Sequence, residues 1–212
     1  MTYEFEDRKE RLERYEWDNV WWERTDMANA QRVLYIGDSI SCATRRRATA
    51  LTNKAIMFDG FGTSKGLDNP YFKETLRLFA AQEEGRRAVL FNNGLHGWHL
   101  SDDEDYRYHY EQMILFLREA FAGEPILLLL TTAISDPARK DRVVVRNRGV
   151  CELAEKYGLP VVDLYAVSRS REGLQAADGI HLTPEGYELL AQTLVDSVRA
   201  YLPKGGVDHE DE

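Results

Sequence analysis

The feature that constrains this chain most is an alternation. Five short apolar runs recur along it, each closed by turn-forming residues, and amphipathic stretches lie between them. Residues 33–36 run into Gly37-Asp38-Ser39. Residues 55–58 run into Asp59-Gly60-Phe61-Gly62-Thr63-Ser64, and 88–91 into Asn92-Asn93-Gly94-Leu95-His96. Residues 125–131 and 160–164 complete the set. Apolar runs of about 4–8 residues between turn signals suit strands buried on both faces.

The stretches between them carry the helical period. Residues 71–82 place Phe72, Leu76 and Phe79 at spacings of four and three, and 106–121 do the same with Tyr110, Ile114, Leu117 and Phe121. Residues 142–157 and 187–201 also show apolar stripes. Gly158 follows the first of these as a C-cap. Thr183-Pro184 opens the second, with threonine as N-cap and proline at the first helical position. Strands alternating with helices predict a three-layer α/β/α sandwich around a five-stranded, mostly parallel sheet.

The 212 residues suit one such domain. Residues 1–31 are charged and aromatic, with Trp17, Trp21 and Trp22 close together, and read as a helix or arm lying on the body. Residues 32–203 form the sheet domain. Residues 204–212 form an acidic, glycine-containing tail expected to fray. Lys and Arg total 27 against 36 Asp and Glu, a formal charge of −9. That balance argues against nucleic acid as a partner. No apolar run approaches the ~20 residues of a membrane span. No signal peptide is visible, and the two cysteines, Cys42 and Cys151, do not form a CxxC pair. A cytoplasmic location is the expectation. Neither Gly-x-Gly-x-x-Gly after the first strand nor a phosphate-binding Gly-Lys-Ser/Thr loop occurs, so no nucleotide cofactor is implied.

In open parallel sheets, ligands bind beyond the carboxyl ends of the strands. The polar residues collect there. Ser39 stands where a strand turns into a helix, with its hydroxyl free to face solvent. A helix start also aims backbone N–H groups at a developing oxyanion. A serine nucleophile needs a base, and the base needs an orienting acid. His181 and Asp178, three residues apart in one loop with Gly179 between them, fit those roles.

These two blocks, Gly37-Asp38-Ser39-Ile40-Ser41 and Asp178-Gly179-Ile180-His181-Leu182, resemble those of the SGNH (GDSL) hydrolases. The resemblance spans residues 32–202. It implies a flavodoxin-like fold, a serine esterase activity with no cofactor, Ser39 as nucleophile, and Asp178 and His181 as the rest of the triad. The oxyanion donors it implies are Ser39, Gly62 (or Gly60) and an asparagine in a Gly-x-Asn-Asp block. Here that block reads Gly94-Leu95-His96-Gly97, which puts His96 in the asparagine's place. A neutral imidazole N–H can donate one hydrogen bond as an amide does. A second alignment makes Gly97 the backbone donor instead.

Asp38, Gly60, Thr63, Asn93, Arg45 and Trp98 are the candidate substrate contacts. Arg45-Arg46-Arg47 read as a solvated helix face or as an attractor for an anionic substrate. Family substrates include acetylated sugars, lysophospholipids, thioesters and aryl esters. A small O-acetyl carbohydrate is preferred, because no long apolar lid is evident. Two other readings compete. One is a catalytically weak module that binds a glycan or protein. The other is a metal-dependent hydrolase using His96 and His99 with Asp102 and Asp103, although no known metal-ligand spacing supports it. The oligomeric state is not legible.

Overall fold

In the computed structural model, residues 16–27, 30–82 and 85–202 are described. The predicted tail at 204–212 and most of the N-terminal arm lie outside them. The strands are β1 (Asp18–Trp21), β2 (Gln31–Gly37), β3 (Ile56–Thr63), β4 (Arg86–Phe91), β5 (Ile126–Leu129) and β6 (Val161–Val162). The helices are α1 (Ser39–Leu51), α2 (Phe72–Ala80), α3 (Asp103–Ala120), α4 (Lys140–Tyr157), α5 (Leu164–Ser168) and α6 (Pro184–Arg199).

The strands form one sheet in the order β1-β3-β2-β4-β5-β6. All neighbours run parallel except β1, which pairs antiparallel with β3. The sheet therefore has six strands rather than five. The extra one is β1, which belongs to the segment expected to form a helix or arm. Its four residues, Asp-Asn-Val-Trp, are all exposed. They carry no buried apolar run, which is the signal that marked the other strands. Hydrogen bonds to β3 decide the structure here, not burial.

Strand alternation explains the layers. Val33, Tyr35, Ala88, Leu90, Leu127 and Leu129 point to one face, where they meet residues of α1, α5 and α6. Leu34, Ile36, Val89, Phe91, Ile126 and Leu128 point to the other, against α2, α3 and much of α4. A period of two with both faces covered produces continuous apolar runs. Each fully buried side chain of this size contributes about 1.5–3 kcal/mol.

A buried charge pair between the start of β2 and the middle of β3 is forked. Arg32 Nε donates to Asp59 Oδ2 at 2.9 Å and Nη2 to Oδ1 at 2.7 Å. The same Nη2 reaches the Glu23 carbonyl at 2.6 Å, and Glu23 N–H donates to Asp59 Oδ1 at 2.7 Å. The pair thus ties the chain leaving β1 to the sheet's interior. Bidentate geometry with every oxygen satisfied is what such a buried pair requires.

The chain leaves β2 toward β3 and later returns across it to β4 on the other side. This reversal leaves a crevice between the carboxyl ends of β2 and β4, where parallel sheets bind ligands.

Candidate active site

Ser39 sits at that crevice, at the start of α1. Asp38 is the N-cap and accepts the Ile40 N–H at 2.9 Å. Gly37 must be glycine, because a Cβ there would lie 2.8 Å from Ser41 Cβ. Ser41 Oγ turns back to the Asp38 carbonyl at 2.7 Å. Short-range bonds thus fix the turn that presents Ser39 to the rim.

The second block arrives from the other end of the chain. Asp178 Oδ1 accepts the N–H groups of Ile180 and His181, each at 2.9 Å. Its Oδ2 faces His181 Nδ1 at 2.7 Å, and His181 Nε2 faces Ser39 Oγ at 2.9 Å. With the Nδ1 proton on the carboxylate side, Nε2 is left to accept from the serine. Partial burial alone would raise the Asp178 pKa, but the Ile180 N–H and the two His181 groups bring it below the usual carboxylate range. Asp178 is therefore held in its charged form.

The loop that holds them is built on Gly179, whose φ is +73° and whose missing side chain leaves room for Ser135 Oγ. Ser135 N–H donates to the Gly179 carbonyl at 2.7 Å, and Ala176 N–H to the His181 carbonyl at 2.9 Å. Thr183 caps α6 through the Gly186 N–H at 3.3 Å, with Pro184 next, as the sequence predicts.

His96 is buried at the same crevice, in the loop after β4. The Trp17 ring meets it edge-on at 6.0 Å between centroids. Burial raises the Asp38 pKa, and the nearby His96, the Ile40 N–H and His181 offset this only in part. Asp38 is 1% exposed, and its Oδ2 has no partner among the described residues. The raised pKa means the folded protein holds this proton more tightly than the unfolded chain. Stability from that proton is complete below the unfolded value and disappears as pH rises through the folded one. The D38N variant keeps an N-capping oxygen and removes the buried charge. It is expected to melt about 2–8 °C higher than the parent at pH 8, with the gain gone near pH 4. Thermal unfolding across that range checks this.

Gly62 is brought to the site, but its peptide faces β1. Ser64 N–H donates to the Trp17 carbonyl at 3.1 Å, and Gly62 is paired with Asn19 in the same antiparallel ladder. Alternate residues of a ladder face the same way, so the Gly62 N–H is directed at β1 rather than at the crevice. What Gly62 supplies is space. A side chain there would strike Cys42 Sγ and lie 3.5 Å from the Asp38 carbonyl oxygen. Reading the chain without β1 hid this partner.

The remaining candidates serve the framework. Gly60 lies under Arg45, which is buried and donates to Asn19 Oδ1 at 2.6 Å. Arg46 covers Trp21 at 4.9 Å, and Arg47 donates to the Ala43 carbonyl at 2.6 Å. Arg45 is thus buried against β1 rather than solvated. Thr63 bonds Asp18 at 2.7 Å, and Asn93 Nδ2 donates to the Lys65 carbonyl at 2.8 Å. Trp98 is buried beneath arginines of α4 and presents no face to a sugar. His99 Nε2 lies 2.9 Å from each Asp68 oxygen, and Asp102 caps α3 through the Glu104 N–H at 2.8 Å.

The sequence matches the family model for GDSL-like lipases and acylhydrolases over residues 35–189. The chain belongs to this family. The acylhydrolase is accordingly an enzyme of the carboxylic ester hydrolase type. Its fold is shared by several solved structures. A lipase/acylhydrolase from Enterococcus faecalis superposes with a TM-score of 0.64 at 20% identity, over 83% of this chain and 100% of that one. The catalytic domain of a Streptococcus pneumoniae peptidoglycan O-acetyltransferase gives 0.64 at 16%, over 82% and 96%. An acetyl xylan esterase, AlAXEase, gives 0.60 at 18%, over 79% and 99%. At these identities the likeness concerns the fold. No curated protein sequence matches the acylhydrolase significantly. Among the described residues, no helix is long and apolar enough to cross a membrane.

Proposed function

We propose that the enzyme is a serine esterase that removes a small acyl group, acetate above all, from a carbohydrate. The observation that carries the reading is the unbroken line Ser39 Oγ–His181–Asp178, with separations of 2.9 and 2.7 Å. Ser39 Oγ attacks the acyl carbonyl carbon while its proton passes to His181 Nε2. Asp178 stabilises the imidazolium that forms. The tetrahedral oxyanion is met by the Ser39 N–H, at the positive end of α1, and by the His96 side chain. His181 then gives its proton to the leaving alcohol oxygen as the C–O bond breaks, leaving acyl-Ser39. Water, deprotonated by His181, attacks the acyl carbon and releases the acid, and the proton returns to Ser39.

Two observations favour a sugar as the alcohol. A 400 Å³ cavity beside Asp178 has a mixed lining, in which Ser135, Asp136 and Arg139 offer partners for hydroxyls and Pro137, Ala177 and Ile180 offer apolar contact. Two of the similar folds, by name, act on acetyl groups of xylan and peptidoglycan. A fluorophosphonate probe followed by peptide mass spectrometry is expected to find the adduct on Ser39. Turnover of nitrophenyl esters is expected to fall at least about tenfold from acetate to octanoate. An unlabelled protein would instead support a binding module. A rate that rises with chain length would point to a lipid substrate.

A further inference from the structure

The loop from Gly94 to Leu100, which carries His96, is held from behind by α4. Arg139, Arg142 and Arg146 lie three and four residues apart, on one face of the helix and its N-cap. Arg146 is 2% exposed. Its Nη1 donates to the carbonyls of Gly94 at 3.0 Å and His96 at 2.9 Å. Its Nη2 donates to those of Gly97 at 2.8 Å and Leu100 at 3.5 Å. The guanidinium lies between two rings, 4.3 Å from the Trp98 centroid and 4.2 Å from that of Tyr106. Tyr106 itself donates to the Asn93 carbonyl at 2.6 Å. Arg142 Nη2 adds bonds to Trp98 and Leu100 carbonyls at 3.0 and 2.8 Å.

This arrangement does more than fill space. In a trans peptide the carbonyl and the following N–H point in opposite directions. Turning the carbonyls of residues 94, 96 and 97 onto one cation therefore fixes the peptide plane that follows His96 and the planes at 94–95 and 97–98 on either side of it. His96 thus lies in a short span anchored on both sides, which restricts the direction of its Cα–Cβ bond. Gly94 and Gly97 make the path available. A side chain at 94 would strike Thr131, and Gly97 has φ +65°.

We infer that Arg146 is a positioning residue for catalysis, which acts by setting the backbone that aims His96 at the oxyanion. The inference rests on the proposed role of His96. Lysine keeps the charge but has no planar fork and no flat face to place between two rings. It cannot hold the same carbonyls in the same directions, and small misplacements of a reacting group are costly.

The test is a double-mutant cycle on nitrophenyl acetate with the wild type, R146K, H96A and R146K/H96A. H96A is expected to lower kcat by about 10²-fold. R146K is expected to lower kcat by about tenfold with KM within about twofold. In the H96A background the R146K loss should shrink to less than about twofold, while the drop in Tm is the same in both backgrounds. A loss by the same factor in both backgrounds, or no loss at all, overturns the inference and leaves the role of His96 standing. Full kcat in H96A overturns the role of His96 itself, and the inference with it. Should R146K not fold, R146Q, a planar and neutral side chain, is carried through the same cycle with the same outcomes.

Discussion

Replacing Ser39 by alanine is expected to lower kcat for nitrophenyl acetate by about 10⁴–10⁶-fold, with the fold intact. The size follows from what disappears. Without Oγ no acyl-enzyme forms, and His181 has nothing to deprotonate except water. What survives is the binding of the ester and the oxyanion donors, which alone give a weak catalyst. The fold should survive because Ser39 contributes little to it. Asp38 caps α1 through Ile40, and Ser41 and Thr44 make the hydroxyl bonds to the helix backbone at 2.7 and 2.6 Å. The Tm should therefore remain within a few degrees of the parent. Steady-state kinetics with a phosphonate-labelling control checks both halves. Retention of more than about a tenth of the activity would remove Ser39 from the mechanism.

The second large effect is at Asp178. D178N is expected to lower kcat by about 10⁴-fold, through the tautomer of His181 rather than through lost structure. The Oδ1 oxygen accepts two backbone N–H groups, and an asparagine carbonyl can continue to do so. Its amide nitrogen then occupies the Oδ2 position, 2.7 Å from His181 Nδ1 in the parent. Two N–H groups cannot face each other there, so the imidazole moves its proton to Nε2. That nitrogen then donates toward Ser39 instead of accepting from it. KM should change little, since Asp178 acts on the base and not on the ester. Asp178 is held below the usual carboxylate range, so in the parent it stays a charged acceptor for the His181 Nδ1 proton. A kcat within tenfold of the parent would sink the assignment.

The sequence carries the fold where burial writes it. Residues 33–36 and 88–91 alternate between two cores, and their apolar runs are visible without any structure. The final helix announces itself through Thr183 and Pro184, and the triad candidates through two compact blocks. Legibility ends where the deciding partner is distant in the chain. Strand β1 shows no apolar run because its antiparallel pairing with residues 60–63 of β3 defines it. Missing it also hid why Gly62 faces away from the crevice, and why Arg45 is buried over Asn19. Trp98 looks like a stacking platform until the arginines of α4 cover it. The spacing of those arginines at 139, 142 and 146 was a usable signal. Its meaning required knowing that the loop after β4 packs on that face.

The two outer strands of this sheet have a consequence for how the molecule behaves in a crowd. Among the described residues, the sheet is bounded by β1, with four residues, and β6, with two, while eight-residue β3 lies inside. A long apolar strand with an open backbone edge is a template on which other chains can polymerise. Here β3 has the apolar sequence but no open edge, because β1 occupies it with Asp18 and Asn19 outermost. The N-terminal segment is thus a guard against self-association as well as a part of the sheet. Trimming the chain to begin at Arg32, where the apolar pattern starts, would strip that guard away and turn the longest strand of the sheet toward its neighbours.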